Sequence, residues 1–460
     1  MADAEQRQIR TERNLFQAAK VYGHPRVVGM AFLGFSAGLP LMLVGATFTA
    51  WLRDLGVDLA AIGFLSWVGM AHSIKVLWAP IVDRLQLPVL SRVFGRRRAW
   101  MLLAQVTIAI GLLGMALTDP TENLWLVAGL AVMTAFGSAT QDIAIDAYRV
   151  EAVKRERQGA MAATYVGGYR VAMLIAIAGA LNIAGVTNWT LAYGAMALLM
   201  GVGIITTLII REPEAAVDRM TETMEQRVTD YLATTRHQGW WRDFVAWVIG
   251  AIVCPFADFM KRFGAMAVLI LLFVATFRVS DIFMGVMAQP FYRDLGFSLS
   301  QIGNITGAFG LAMTLTGAGL AGILVARFGV TRMILFTAFM APATNLTFAW
   351  LANLGPETYG LVIAIMADNI TGGMAIGVFI AYLSSLTNTA YTATQYALFS
   401  SIMTLPGQFA AGFTGMLAEK VDWVWFFIIT AGTGIPAIIL AFILTRYANP
   451  DRINRPGMEG

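Results

Sequence analysis

Cysteine is almost missing from this chain. Cys254 is the single one in 460 residues, so neither an intrachain disulfide nor a multi-cysteine metal site can form. Histidine is nearly as scarce: His24, His72 and His237 fall in separate segments, which argues against a metalloenzyme. No nucleophile motif or nucleotide-binding glycine loop is present, so no catalytic residue, metal or cofactor is expected and the chain is not read as an enzyme. Charge is thin as well, at 13% against about a quarter in ordinary soluble domains. With 58% hydrophobic residues and a mean hydropathy of +0.67, a water-soluble globule is excluded. The formal charge of +4 and pI near 9.2 would raise the question of nucleic acid in a soluble protein. Here the basic residues sit between apolar runs, topology accounts for them, and no nucleic-acid partner is expected.

What is abundant is apolar sequence of spanning length, about 20 residues per crossing. Such runs fall near 27–52, 60–82, 99–118, 124–147, 158–185, 189–210, 265–290, 301–325, 332–352, 359–383, 394–418 and 423–445, twelve in all. They are continuous rather than alternating and about twice as long as a barrel strand, which excludes a β-barrel. The expected fold class is an all-α integral membrane protein, a bundle of twelve helices in two halves of six. The first run is too long for a signal-peptide core and reads as an uncleaved span. The expected organisation is a tail over 1–26, a first half over 27–211, a linker over 212–263, a second half over 264–445 and a tail over 446–460. Within the linker, the Trp-rich stretch 240–262 is too short for a confident span and reads as a helix lying in the inner interface.

Sorting Lys and Arg by side of the membrane gives 26 on the side of both termini and the linker, and three on the other, Arg53, Arg293 and Lys420. The positive-inside rule then puts both termini in the cytoplasm. The halves also echo each other. Arg53-Asp54-Leu55-Gly56-Val57-Asp58-Leu59-Ala60-Ala61-Ile62-Gly63 recurs 240 residues later as Arg293-Asp294-Leu295-Gly296-Phe297-Ser298-Leu299-Ser300-Gln301-Ile302-Gly303, identical at seven of eleven positions. A second echo follows each even run, with Asp83-Arg84 and Gly95-Arg96-Arg97-Arg98 in the first half and Arg327-Phe328-Gly329 with Arg332 in the second. Parallel repeats of this kind imply a pseudo-two-fold axis along the membrane normal, with substrate held between the halves near mid-depth.

Seven charges stand inside apolar runs: Lys75, Asp142, Asp146, Arg170, Arg278, Asp281 and Asp368. Facing lipid and unpaired, they would cost about 17–25 kcal/mol together on insertion scales, so they are expected to face inward onto one water-accessible vestibule. Three are positive and four negative, which permits a mostly paired network with one carboxyl left over. Asp142 and Asp146 share a helix face with Arg149, and Arg278 can pair with Asp281 three residues on. The bland reading of Asp146 and Arg149 is a lock at the cytoplasmic end with Arg84 or Arg96 to Arg98; that of Lys75 is snorkelling to the inner interface. A carboxyl away from water tends to hold a proton and an adjacent base reverses that, so an Asp beside a base can toggle when an anionic substrate occupies the base. Glycines in the first and eighth helices read mainly as packing, whereas Gly372-Gly373 after Asp368-Asn369 is placed to loosen a helix. Tyr382, Asn388, Tyr391, Gln395 and Tyr396 suit stacking and hydrogen bonding to sugars.

Phe35-Ser36-Ala37-Gly38-Leu39-Pro40-Leu41, Lys75-Val76-Leu77-Trp78-Ala79-Pro80-Ile81-Val82-Asp83-Arg84, Gln141-Asp142-Ile143-Ala144-Ile145-Asp146-Ala147-Tyr148-Arg149, Gly168-Tyr169-Arg170 and Thr392-Ala393-Thr394-Gln395-Tyr396-Ala397-Leu398 together resemble the AmpG-type anhydromuropeptide permeases of the major facilitator superfamily. The resemblance implies a proton-coupled importer, in the bacterial inner membrane, of N-acetylglucosaminyl-anhydro-N-acetylmuramyl peptides for peptidoglycan recycling, with an effect on β-lactamase induction where that circuit exists. It departs from the family at His72-Ser73-Ile74-Lys75, where Tyr-Thr-Leu-Lys is usual. On this reading Asp142, Asp146, Asp281 and Asp368 serve proton coupling, and Lys75, Gln141, Arg170, Arg278, Asn369, Gln395 and Tyr396 bind substrate. Asp83, Arg84, Arg96, Arg97, Arg98 and Arg149 form a cytoplasmic gate. The expected partners are the muropeptide, protons and the lipid bilayer, and the expected state is a monomer. The alternative is an importer of a siderophore or another bulky polar anion, for which fewer fixed cations are needed.

Overall fold

The computed structural model describes residues 20–153, 157–213, 254–386 and 392–447. Among these, ten helices are long and apolar enough to cross a bilayer: Pro25–Asp54, Arg96–Ala116, Leu124–Arg149, Ala160–Val186, Trp189–Ile209, Met266–Asp294, Leu299–Phe328, Val330–Leu354, Thr358–Leu383 and Trp423–Arg446. The apolar runs at 60–82 and 394–418 are not in that set. The first is divided into helices Leu59–Leu65, Met70–Ile74 and Ala79–Arg84, joined by tight turns at Ser66–Gly69 and Lys75–Leu77. Pro80 explains part of the break, because it offers no N–H and disfavours helical backbone in the residue before it. The second is divided between Thr392–Ala411 and Thr414–Lys420.

Several helix starts are written locally. Asn123, Asn188 and Asp422 each accept a hydrogen bond from the backbone N–H three residues on, at 3.1, 2.8 and 2.8 Å, and Ser298 with Gln301 forms a capping box. The duplicated turn has the same backbone in both copies. Gly56 and Gly296 take φ of +79° and +96°, and the next residue returns its N–H to the carbonyl five back, Val57 to Leu52 at 3.0 Å and Phe297 to Tyr292 at 3.1 Å. That is the helix-ending arrangement for which glycine is suited, since a side chain strains a positive φ.

Two compact units emerge. One holds the described parts of 1–48 and 75–215, the other those of 49–74 and 216–460. Residues 49–74 thus pack with the C-terminal part of the chain. Each unit has its own apolar core. The first gathers Val27, Met30, Leu33, Ala37, Tyr148 and Met161; the second Phe273, Phe277, Ile334, Val378, Phe379 and Phe399. Of the expected interfacial helix at 240–262, residues 240–253 lie outside the described set. Its remainder belongs to helix Cys254–Phe263, where Phe259 is buried against Phe399 at a ring distance of 4.9 Å.

Glycine sets the closest helix crossings. A methyl group on Gly34 would overlap the Tyr165 carbonyl, and one on Gly317 the Ile370 carbonyl. Gly373 likewise meets the Thr314 carbonyl, so at that position the missing side chain serves packing rather than the loosening expected of it. Helix Gln158–Leu174 continues into a π-helical turn at Ile175–Gly179. Such a turn disturbs the regular ladder, and the Thr47 hydroxyl donates to the Ala176 carbonyl within it at 2.7 Å.

Candidate functional site

In the N-terminal unit the turn at Lys75 brings its ammonium to the long helix Leu124–Glu151. Lys75 Nζ stands 3.4 Å from Asp142 Oδ2, with the two side chains 34% and 14% exposed. The other oxygen, Asp142 Oδ1, is buried and has no hydrogen-bond partner among the described residues. One turn on, Asp146 Oδ1 lies 3.4 Å from Arg149 Nη2, and Asp146 is half exposed. The stripe of two acids and a base is therefore divided, one acid facing Lys75 and the other its own helix neighbour. Trp78 donates to the Thr140 hydroxyl at 3.1 Å. Tyr165 and Tyr169, with ring centres 6.0 Å apart, complete the surroundings, and the Asp142 charge acts on both. Sequence reasoning did not single out Tyr165 and used Tyr169 only as a motif letter; their four-residue spacing along one helix face was the available signal.

Two expected members of this group sit differently. Gln141 is fully buried. Its amide accepts from the Ser36 hydroxyl at 2.9 Å and donates to the Ser36 carbonyl at 3.0 Å, so in this structure it clamps two helices together. Arg170 is half-buried and has no ion-pair partner among the described residues.

The cytoplasmic gate group is distributed over other partners. Arg97 Nη2 meets Glu151 Oε1 at 2.5 Å, and Arg96 is at 4.0 Å from the same oxygen. Arg98 donates to the carbonyls of Thr207 and Leu208 at 2.8 and 2.7 Å. Glu212 accepts from the backbone N–H groups of Arg97 and Arg98 at 2.7 and 3.0 Å, capping the helix that begins at Arg96 with a carboxylate where the macrodipole favours one. The lock expected between Arg96 to Arg98 and the Asp146 stripe is thus replaced by Glu151 and Glu212, which in the sequence look like ordinary loop charges. Asp83 and Arg84 fall in helix Ala79–Arg84; their side chains lie outside the described set.

The C-terminal unit holds the second cluster. Arg278 stands at the N-terminal cap position of helix Val279–Asp294 and Asp281 lies in its first turn, with Arg278 Nε 3.0 Å from Asp281 Oδ2 and the side chains 25% and 16% exposed. Both Arg278 and Asp281 act electrostatically on Asp368, whose Oδ1 receives the Thr344 hydroxyl at 3.5 Å. A neutral network braces these residues: Asn345 donates to the Ser280 hydroxyl at 2.9 Å, and Ser280 to the Thr430 carbonyl at 2.8 Å. Asn369 accepts from Thr314 at 2.8 Å and donates to its own helix at the Ile365 carbonyl, 3.0 Å away. Its amide is therefore engaged in packing contacts. Gln395 and Tyr396 lie in helix Thr392–Ala411, with side chains outside the described set. Among the described residues no group of three or more His, Cys, Asp or Glu has the makings of a metal site.

Ten long apolar helices among the described residues make this a multi-pass membrane protein. The Major Facilitator Superfamily profile matches residues 30–287 and 265–460. A Rickettsia felis transporter named AmpG 4 is 32% identical over 432 residues, covering 94% of this chain and 99% of that protein. The anhydromuropeptide permease of Escherichia coli K12 is 32% identical over 440 residues, covering 95% of this chain and 83% of that one. Among solved structures, the nucleoside transporter NupG superposes with a TM-score of 0.66 at 15% identity, covering 94% of this chain and all of that one, a likeness of fold alone. The chain belongs to the major facilitator superfamily and, within it, to the AmpG-type permeases.

Proposed function

We propose that this protein imports anhydromuropeptides across the bacterial inner membrane, driven by protons, as a monomer with both termini in the cytoplasm. The observation that carries the reading is the Lys75–Asp142 pair, in which the buried carboxylate oxygen Asp142 Oδ1 has no hydrogen-bond partner among the described residues. A muropeptide brings carboxylates of its own. When one of them takes Lys75, Asp142 loses its counter-charge in a site poor in water, and a proton is the available replacement. Unbinding on the other side reverses the exchange. Arg170, with no ion-pair partner among the described residues, is a second cation for an anionic cargo. In the C-terminal unit Asp281 keeps Arg278 at 3.0 Å, whereas Asp368 meets the neutral Thr344 hydroxyl at 3.5 Å, so Asp368 is the acid there best suited to carry a proton.

The name of the Escherichia coli relative supports the substrate class. Purified protein in proteoliposomes decides it: counterflow of labelled N-acetylglucosaminyl-anhydro-N-acetylmuramyl tripeptide is expected, accelerated by an inward proton gradient, with no uptake of a ferric siderophore. Siderophore counterflow without muropeptide counterflow overturns the reading in favour of the other bulky-anion importers. Muropeptide uptake indifferent to the proton gradient removes the coupling step alone.

A further inference from the structure

The arginines at the linker-side helix ends keep different company in the two units. In the N-terminal unit Arg96 and Arg97 face Glu151, and Glu212 caps the backbone of Arg97 and Arg98. In the C-terminal unit the linker-side ends present Lys261, Arg262, Arg327, Arg332 and Arg446, all exposed. Among the described side chains those ends hold no carboxylate. Asp281 and Asp368 lie within the spans, and the other described acids of that part of the chain stand at the opposite helix ends.

Two of these arginines are placed for a lipid. Arg332 opens helix Val330–Leu354, and Arg446 closes the span Trp423–Arg446. Four and seven residues on from Arg332, Phe336 and Phe339 are 45% and 55% exposed; four and seven residues before Arg446, Phe442 and Ile439 are 55% and 53% exposed. Residues so spaced share one helix face, so each arginine crowns an exposed apolar column. Trp350 and Trp425, both exposed, mark the far ends. At 1.5 Å per residue they stand about 27 and 31 Å from Arg332 and Arg446, which matches a hydrocarbon core of about 30 Å with a headgroup layer at either boundary.

The two columns belong to neighbouring helices. Thr331 and Thr445, the residues before the arginines, line one narrow cleft with Ile334 and Leu444, so Arg332 and Arg446 flank that cleft. A guanidinium meets phosphate oxygens with two parallel N–H donors and is weakly hydrated, which suits the headgroup layer. Basic pockets between spanning helices attract anionic headgroups for the same reason.

We propose that Arg332 and Arg446 form a binding site for one anionic phospholipid of the linker-side leaflet, its phosphate between the two guanidinium groups and its acyl chains along the Phe336 and Phe442 columns. An acidic segment of the linker would answer the charges but not the columns beneath them, and a phospholipid answers both. The proposal rests on the chain being a membrane protein; neither cargo nor proton coupling enters it.

Native mass spectrometry of the purified full chain in non-ionic detergent, titrated with dioleoyl phosphatidylglycerol or dioleoyl phosphatidylcholine, provides the test. The acyl chains are identical, so the headgroup decides. The parent should bind its first phosphatidylglycerol at least fivefold more tightly than its first phosphatidylcholine. Arg332→Gln with Arg446→Gln should reduce that preference below twofold, and each single variant, which serves if the pair does not fold, should give an intermediate value. Lys261→Gln with Arg327→Gln removes the same charge from the same helix ends and should keep the preference within twofold of the parent. Equal loss in both double variants overturns the site in favour of a diffuse basic surface. A parent without preference overturns it as well, and a preference that appears once Glu222→Gln and Glu225→Gln are introduced assigns the patch to the linker instead.

Discussion

The two charged clusters are built from the same three kinds of part, a base, an acid beside it and a second acid nearby, yet they are held differently. In the N-terminal unit the base is a lysine a third exposed, 3.4 Å from Asp142, and the second acid has an arginine of its own. In the C-terminal unit the base is an arginine at 3.0 Å from Asp281, and Asp368 has a threonine for its nearest donor. A lysine on a flexible stem gives up its partner readily, whereas a guanidinium in a braced site is a fixed element. The first cluster is thus suited to exchange partners and the second to keep them.

The largest test of that contrast is Arg278→Met. Removing one partner from a buried pair costs about 3–5 kcal/mol, and the partial exposure here places the expectation toward the lower figure. Arg278→Met with Asp281→Asn should recover most of the loss of melting temperature in detergent. Lys75→Met should cost less stability than Arg278→Met while abolishing proton-driven uptake; a lysine variant that melts as low as the arginine one breaks the comparison. Next in size, Gly317→Ala should lose about 1–3 kcal/mol by overpacking against the Ile370 carbonyl, and Gly322→Ala, with open space around it, should melt like the parent. Gln141→Leu leaves Ser36 with an unanswered buried hydroxyl and should cost about 1–3 kcal/mol, whereas Ser36→Ala with Gln141→Leu should lie closer to the parent. If Gln141→Leu instead keeps full stability and loses only substrate affinity, Gln141 is a substrate contact after all.

The smallest effect lies outside the spans. His24 accepts from the Arg26 N–H at 3.3 Å, and burial, with the Arg157 and Arg26 charges, holds its imidazole below the usual value of 6.5. A depressed histidine contributes stability that is present above pH 6.5 and is lost as pH falls through the lower folded value. His24→Ala should flatten that slight acid-side fall in melting temperature, and an unchanged profile refutes the assignment.

Ten spans were legible because bilayer-length apolar runs have few alternatives. The break within 60–82 was not: hydropathy averages over Gly69 and Pro80, while the backbone responds to each. The pairing of Arg278 with Asp281 was readable from spacing on adjacent turns, but the third member, Asp368, comes from a helix about 90 residues away, where one-dimensional spacing carries no information. Glu151 and Glu212 were passed over for a similar reason, since their roles depend on which helix end lies beside them. The repeated turn was visible as an identity of letters, and its cross-wiring, Arg53 to Asp294 and Arg293 to Asp54, only in three dimensions.

The crossing of Pro25–Leu43 with Gln158–Leu174 has a mechanical meaning. Gly34 and Gly38 press on the backbones of Tyr165 and Tyr169, and Gly168 presses back on Ala31. Backbone against backbone leaves no compressible side-chain layer between these two rods, so neither can tilt without the other. Any stroke of the first helix would therefore carry both phenol rings with it, turning a pair of aromatic neighbours into a lever beside Asp142.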